Sequence, residues 1–521
     1  MSTKTENNIN LFKNLSSLEV LRLTKPQKLV YNILSFFRGI PGWFLNIFIA
    51  IKNALINAGT FIKNEVVDIV QTFTKGDWKT KLSFVIMGFA SIVRGQPLRG
   101  VLFLLFEIAF IVYMIFSGGY WLSMFSTLGV SAQKTVYNEK WDVYEVVEGD
   151  NSFKILLYGL LTIFFIIAMI YTWRLNVKQA KVSEEIVKSG KMIKSGKEDL
   201  QSLLDDQFHK TLLALPLTGI LIFTVFPIVF MILVAFTNYD GSHDGYSNLF
   251  TWVGLQNFNQ LFTIGVGSDN LSVAFGEILS WTLMWAFFAT FTNYFLGMFV
   301  ALMINKKGIK AKKLWRGILV LTSAVPQFVS LLYISKMFAK NGMVNGLLVN
   351  LGLITADAVL PFWSNTTWAR VTIIIINIWI GIPYLMLIAT GILMNIPQDL
   401  YESANIDGAS GFQQFTRITM PYMLFVTGPY LLTSFIGNIN NFNVIYLLST
   451  GGPDNPKLTV GATTAGDTDL LVTWLFKTTQ GAESKYYLAS VIGIMIFVVV
   501  ATLSLIAYNV MPSTRNEEDY S

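Results

Sequence analysis

The chain has 521 residues, 53% of them hydrophobic and 13% charged, and a net charge of +6. That balance is too apolar for a soluble protein of this size and calls for several membrane spans, so the basic excess reads as cytoplasmic loops rather than nucleic-acid binding. There is no cysteine, and the two histidines, His209 and His243, are far apart; a disulfide framework and thiolate chemistry are excluded, and metal or Ser-His-Asp sites have little to build on.

Residues 1–14 are polar, and no compact apolar core with a small-residue cleavage site follows, so no cleavable signal peptide is expected. Between Phe44 and Phe73, apolar or small residues recur at Phe44, Phe48, Ile51, Leu55, Ala58, Ile62, Val66, Ile69 and Phe73, at helical spacing. Asn46, Asn53, Asn57, Asn64 and Asp68 fall mostly on the other side. This amphipathic stripe, with a bend expected at Gly59, predicts either a helix or helix pair lying on the cytoplasmic membrane surface or one packed on the protein's own cytoplasmic parts. Both readings stay open.

The first span is expected over residues 98–117, entered from a basic flank of Lys75, Lys79, Lys81, Arg94 and Arg99. Glu107 lies inside it, two turns from that flank, where a partly hydrated carboxylate paired with Lys or Arg is expected. The acidic loop 118–151 is placed outside. A second span, 153–172, returns to a loop rich in Lys and Arg up to Lys210. Within that loop the run from Gly190 to Lys197 fails as a phosphate-binding loop: five residues separate its glycines instead of four, and Glu198 stands where Ser or Thr is needed.

A third span, 211–236, contains Pro216 and Pro227, and the loop up to Glu277 has no Lys or Arg, which puts it outside. The fourth span, 278–304, ends in a basic turn. The fifth, 317–334, is expected to be interrupted by Pro326, and the sixth, 371–394, by Gly381 and Pro383. The seventh and eighth fall at 422–448 and 487–510. Asn438, Asn440, Asn441 and Asn443 crowd the seventh; Asn438 and Asn441, three apart, should share one helical face, where their amides could serve sugar hydroxyls or pack between helices.

A polar island separates the sixth and seventh spans. Asn395 is expected to cap a helix with Pro397 in its first turn and Asp399 and Glu402 near its positive end, which Gly408 stops. Ser410 and Gln413 spell a capping box for a second short helix, expected to end at Pro421.

At Glu402-Ser403-Ala404, Gly408 and Ile418-Thr419-Met420-Pro421 the chain resembles the membrane-spanning subunits of binding-protein-dependent ABC importers, whose E-A-A-x-x-x-G loop ends in an I-x-L-P-like sequence. Ser403 and Met420 are its two mild departures. The resemblance implies that Glu402, Ala404, Asp407 and Gly408 dock this loop into a separate ATPase subunit. Ser434 to Phe442, Thr450-Gly451-Gly452-Pro453, Thr468 to Val472 and Gly381-Ile382-Pro383-Tyr384 further resemble the eight-span subunits of maltose/maltodextrin-type importers, a likeness expected from residue 210 to the end. By position it implies a sugar site at Gly381, Tyr384, Ser434, Gly437, Asn438 and Asn441. It also implies an outer loop, 451–472, that touches a solute-binding protein through Gly451, Gly452 and Pro453. The large outer domain that some relatives carry between the third and fourth spans is missing, and Ser323 and Gly437 stand where maltose-transporting relatives have aromatic rings.

The expected fold is all-α and polytopic, with about eight transmembrane helices, a cytoplasmic helix-turn-helix coupling loop and an N-terminal amphipathic helical region. The expected organisation is an interfacial region, 1–97; two spans with a basic loop, 98–209; a permease domain, 210–511, with its coupling loop at 395–421; and a tail, 512–521. Both termini should be cytoplasmic. The function expected is a non-enzymatic permease subunit importing maltodextrin or a related oligosaccharide, with no cofactor and no nucleic-acid partner. Its partners would be a second permease subunit, two ATPase subunits and an extracellular solute-binding protein. The alternative is a secondary carrier or channel for a small polar solute; a carrier would be favoured by coupling carboxylates deep in several spans and by weak internal repeats, and only Glu107, near the end of its span, qualifies.

Overall fold

The computed structural model describes residues 25–510 apart from 194–197, 199–200, 203, 244, 246–247, 264–270, 307, 462 and 481–482. The expected tail, 512–521, and residues 1–24 lie outside the described residues. The chain forms two compact units, one from residues up to 115 together with 165–212 and one from 116–164 together with 213 onward.

In the first unit, α1 (Lys25–Lys75) is a single helix that passes through Gly59 without interruption. It is followed by α2 (Trp78–Leu82), whose N-cap Asp77 accepts the Thr80 N–H at 2.8 Å, and by α3 (Phe89–Val93). Helix α4 (Pro97–Met124) contains a π turn at Met114–Gly118, and α5 (Ser152–Lys188) extends a full sixteen residues beyond the expected end of the second span. Arg94, with a side chain 3% exposed, ties this unit together: it bonds Asp77 at 2.6 Å, Ser183 at 2.8 Å and the Ala180 carbonyl at 2.7 Å. Glu184 accepts the Thr80 hydroxyl at 2.6 Å and lies 3.8 Å from Arg94. A buried ion cluster of this kind adds little net stability but costs about 3–5 kcal/mol when one partner is removed, so it fixes one arrangement of the helices. Glu107 departs from its expected pairing with Lys or Arg, because its carboxylate accepts the backbone N–H of Met87 at 2.8 Å.

The second unit opens with a hairpin absent from the all-helical expectation, β1 (Lys134–Asn138) paired antiparallel with β2 (Val143–Val147). The Asp150 carboxylate fastens its base by accepting the Val130 and Ser131 N–H groups at 2.8 and 2.9 Å. Helix α6 (Phe208–Val234) carries a π turn at Leu221–Val225 just before Pro227 and runs through both of its prolines. After a short α7 (Gln256–Phe262) comes α8 (Leu271–Asn305), the mast of the unit, which begins seven residues earlier than expected.

One face of α8 is buried along its length at Ala274, Ile278, Trp281, Trp285, Ala289, Asn293, Gly297, Ala301 and Ile304, a helical period. Its upper part packs with Trp474 and Ile492, its middle with Ile373, Ile376 and Val444, and its lower part with Met386 and Met423. In hydrocarbon the exclusion of water no longer drives helices together, so close approach depends on small residues such as these alanines and Gly297.

The fifth span is broken as expected, into α9 (Lys312–Leu321) and α10 (Gln327–Met337), with Pro326 at the break. A short α11 (Met343–Asn350) follows. The sixth, α12 (Thr366–Leu393), corrects the expectation: it is one uninterrupted helix with Pro383 inside. Six helices among the described residues are long and apolar enough to cross a membrane, and the fifth and seventh expected spans are the two that are broken. The chain is a polytopic, mainly helical membrane protein.

Candidate functional site

The polar island forms α13 (Gln398–Ile406) and α14 (Gly411–Gln414). Its start corrects the expectation: Pro397, not Asn395, occupies the N-cap position, and no side chain caps that end. The turn itself follows the sequence. Gly408 adopts φ +74°, its N–H donates to the Asn405 carbonyl at 3.1 Å, and the Ala409 N–H donates to the Ala404 carbonyl at 2.9 Å. These two bonds are a Schellman cap, which needs a residue of positive φ where Gly408 stands. Two residues later the Ser410 hydroxyl accepts the Gln413 N–H and the Gln413 side chain accepts the Ser410 N–H, closing the expected capping box.

Gln414 bridges the two halves by donating to Asn405 Oδ1 at 2.6 Å and to the Ala409 carbonyl at 3.2 Å. The outward face carries Glu402, Asp407 and Gly408, all exposed, with Ala404 half-buried. Two large apolar side chains flank the turn without cover among the described residues, Ile406 at 87% and Phe412 at 75% exposed. The arrangement is a locally self-bonded knob with an apolar rim and acidic groups, suited to seat in a groove on another protein.

The second short helix does not end at Pro421. A π turn, Phe415–Thr419, joins it to α15 (Met420–Ile439), with Pro421 in the first turn of α15, where its missing N–H is readily accommodated. The knob and the seventh span are thus continuous, and Tyr401 of α13 meets Thr419 through a 2.8 Å hydroxyl contact.

At the far end of α15 the amides are partly engaged. The helix breaks at Asn440, so Asn438 and Asn441 do not share a helical face as expected; Asn441 caps α16 (Phe442–Ser449) by accepting the Val444 N–H at 3.3 Å. Its amide nitrogen donates to Asn438 Oδ1 at 3.2 Å, and Asn438 in turn donates to the Thr290 hydroxyl at 3.0 Å. Each amide nitrogen keeps a second hydrogen for another acceptor.

Gly437 is exposed, with open space where a side chain would project. On α12, Tyr384 is 59% exposed, and its ring lies 6.4 Å from that of Tyr430, a residue that sequence reasoning missed. Gly381 lies against α8, where a Cβ would come within 2.3 Å of Asn293 Nδ2. It is therefore a close-packing position. Asn293 Oδ1 and Asn377 Nδ2 are buried with no hydrogen-bond partner among the described residues. Beside Ile380 a cavity of about 270 Å³ opens at the break in the fifth span, lined by Thr322, Pro326, Gln327, Ser330 and Trp379. The side chain of Ser323 lies outside the described residues.

The segment after α16 folds as a hairpin of β3 (Asp454–Val460) and β4 (Thr463–Gly466), then α17 (Leu471–Thr478) and the last span, α18 (Tyr486–Val510). Gly451 is pressed against the Asp469 carboxylate, and the Thr468 hydroxyl donates to the Gly452 carbonyl at 2.7 Å. Burial pushes the Asp469 carboxyl upward, against the pull of Lys477 at 2.6 Å. Pro453 follows a cis peptide bond.

A bundle of membrane helices with a self-bonded helix-turn-helix knob between two spans defines a transport subunit of the binding-protein-dependent class. The chain belongs to the family of binding-protein-dependent transport system inner membrane components, which matches residues 293–516. It is 31% identical over 436 residues to the maltodextrin transport system permease protein of Streptococcus pneumoniae, covering 82% of this chain and 95% of that protein. It is 32% identical over 438 residues to the galactooligosaccharides transport system permease protein of Bacillus subtilis, covering 83% and 97%. The maltose/maltodextrin transport system permease protein of Escherichia coli is 36% identical over 258 residues, 49% of this chain and 48% of that one. A solved bacterial alginate ABC transporter has 22% identity and a TM-score of 0.47, over 59% of this chain and 95% of that chain. An alignment over 82% of the chain also reaches well upstream of residue 210, where the likeness was expected to begin.

Proposed function

We propose that this chain is the permease subunit of an ATP-driven importer for maltodextrin or a related oligosaccharide. It carries no catalytic site and works with a second permease subunit, two ATPase subunits and an external solute-binding protein. The coupling knob carries the reading: its E-x-A-x-x-x-G pattern stands on a Schellman cap and a capping box, and its exposed apolar rim needs a protein groove. The relatives' names support the substrate class, since two of them are maltodextrin permeases and a third takes galactooligosaccharides.

In this reading Glu402, Ala404, Asp407 and Gly408 meet the ATPase on the cytoplasmic side, and both termini are cytoplasmic because the basic loops face inward. Gly451, Gly452 and Pro453 meet the solute-binding protein outside. The sugar path runs past Gly381, Tyr384, Ser434, Gly437, Asn438 and Asn441, where the amides offer donors to hydroxyls and Tyr384 with Tyr430 offers ring faces. Open space at Gly437 makes this a roomy pocket of weak intrinsic affinity, so the binding protein supplies most of the selectivity. The chain divides functionally at residues 97, 209 and 511.

The test is uptake by the reconstituted complex. Asn441→Ala should cut transport of every accepted sugar while sparing basal ATPase activity, whereas Glu402→Ala should release the ATPase from the purified complex. Wild-type uptake by Asn441→Ala would make the amides packing groups, and full ATPase retention by Glu402→Ala would remove the coupling assignment.

A further inference from the structure

Helix α1 turns three distinct sides to its surroundings, and its most apolar side is largely exposed, meeting the described chain at its C-terminal end, where the Phe73 ring lies edge-on to Phe84 at 5.2 Å. Glu65, Asp68 and Thr72 form the side that meets α5: Arg174 pairs with Glu65 and, at 2.6 Å, with Asp68; Lys181 also reaches Asp68 at 2.6 Å; and Thr72 is buried. Asn53, Asn57, Asn64 and Gln71 form a second side, exposed and polar. Leu55, Ile62, Val66 and Phe73 form the third, and they are 68%, 61%, 52% and 49% exposed. The helix thus packs on the protein's own parts through its charged side, while Leu55, Ile62 and Val66 of the apolar stripe stay exposed.

The contact with α5 sets the height of α1. The apolar run of α5, residues 153–172, is long enough to cross about 30 Å of hydrocarbon, and Arg174 is the second residue beyond it. Tyr171, 65% exposed, and Trp173 mark the same level with rings of the type that settle at the membrane surface. The ion pairs thus hold α1 where the acyl region gives way to headgroups, at the basic end of the span.

The lysines decide between a bilayer and a protein as the cover. Lys52 and Lys63 are exposed and, eleven residues apart, lie within about 20° of each other around the helix, at the edge of the apolar side. Protein interfaces exclude lysine from their centres, whereas at a membrane surface its stem lies along the acyl boundary and its ammonium reaches the phosphates.

We propose that residues 49–75 of α1 form an in-plane membrane helix that binds anionic phospholipid. Leu55, Ile62 and Val66 enter the acyl boundary, and Lys52 and Lys63 pair with headgroup phosphates. The absence of cysteine makes the test direct. Single cysteines at Ile62, Val66, Asn64 and Gln71 of the full chain are spin-labelled in liposomes of phosphatidylcholine with phosphatidylglycerol. Labels at 62 and 66 should be open to oxygen and shielded from a water-soluble nickel chelate, with the reverse at 64 and 71. In pure phosphatidylcholine the label at 66 should move toward water, and Lys52→Gln with Lys63→Gln should produce the same shift in the mixed liposomes. A label at 62 or 66 that meets the nickel chelate freely overturns the proposal, as does one shielded from both reagents, which would mean a protein cover. Equal depth in both lipids, unchanged by the glutamines, overturns the anionic-headgroup assignment.

Discussion

Replacing Gly408 separates conformational strain from steric crowding, because the structure leaves nothing within 4 Å of where its side chain would be. An added methyl therefore meets no neighbour, and the whole penalty comes from holding an L-residue at φ +74°. For alanine that strain is about 1 kcal/mol, roughly a fivefold loss in the population of the correct turn, and for asparagine it is smaller. Proline is different in kind. Its ring fixes φ near −65°, a swing of about 140° from the native value, and it deletes the N–H that bonds Asn405, worth about 1 kcal/mol more. Gly408→Asn should thus keep most sugar uptake in proteoliposomes, Gly408→Ala should lose part of it, and Gly408→Pro should abolish it while the protein still inserts and purifies. Retention of the ATPase on an affinity column should fall in the same order. Normal uptake by Gly408→Pro, or equal loss in all three variants, would refute the claim that the left-handed turn is what the ATPase needs.

Gly381→Ala should lower thermal stability by about 1–3 kcal/mol, read as an earlier unfolding transition in detergent, because the new methyl would overlap Asn293. Gly437→Phe meets open space, so it should leave stability unchanged and narrow uptake toward shorter oligosaccharides in competition assays. An impermeant thiol reagent should label cysteines at Ser189 and Lys310 only from the inside and one at Trp141 only from the outside; an outside signal at Ser189 would overturn the topology. The Ser131 N–H, then that of Val130, hold the Asp150 carboxyl below its ordinary range against a smaller opposing effect of burial. Its contribution is present above the ordinary carboxylate range and is lost as pH falls through the lowered folded value. Protection of the Val130 and Ser131 amides from hydrogen exchange, relative to their intrinsic rates, should therefore persist at neutral pH and fall only on strong acidification, while Asp150→Asn should weaken it at every pH.

The span order and the helix-turn-helix knob were legible because both rest on local rules. Basic loops mark the ends of spans, and a Schellman glycine followed by an S-x-x-Q box is written within ten residues. What was misread depends on tertiary support. Pro383 and Pro421 look like breaks in isolation, but Pro383 is buried inside an uninterrupted helix and Pro421 sits in the first turn of α15, where no N–H is required. The break at Asn440 was hidden because a run of amides has the same composition whether it continues a helix or caps the next one. Tyr430 escaped notice since a tyrosine in an apolar run carries no signal until Tyr384, 46 positions away in sequence, comes near its ring. The first β hairpin has its strand signal in Thr135, Val136, Tyr137, Val143 and Tyr144, which the charge balance of the loop does not register.

The continuity of the knob with the seventh span has a mechanical consequence. From Gly411 to Ile439 the backbone is one helical rod, and Met423, fully buried, is gripped near its middle. Pivoting there, the arm toward the knob is about 18 Å and the arm toward Ile439 about 24 Å at 1.5 Å per residue. A lever with arms in that ratio amplifies slightly: an ångström of sideways travel at Gly411 arrives at Asn438 as about 1.3 Å in the opposite direction. A displacement of that size is enough to break or remake one hydrogen bond of the Thr290–Asn438–Asn441 chain, so the gearing of the rod matches the length scale of the contacts at its end.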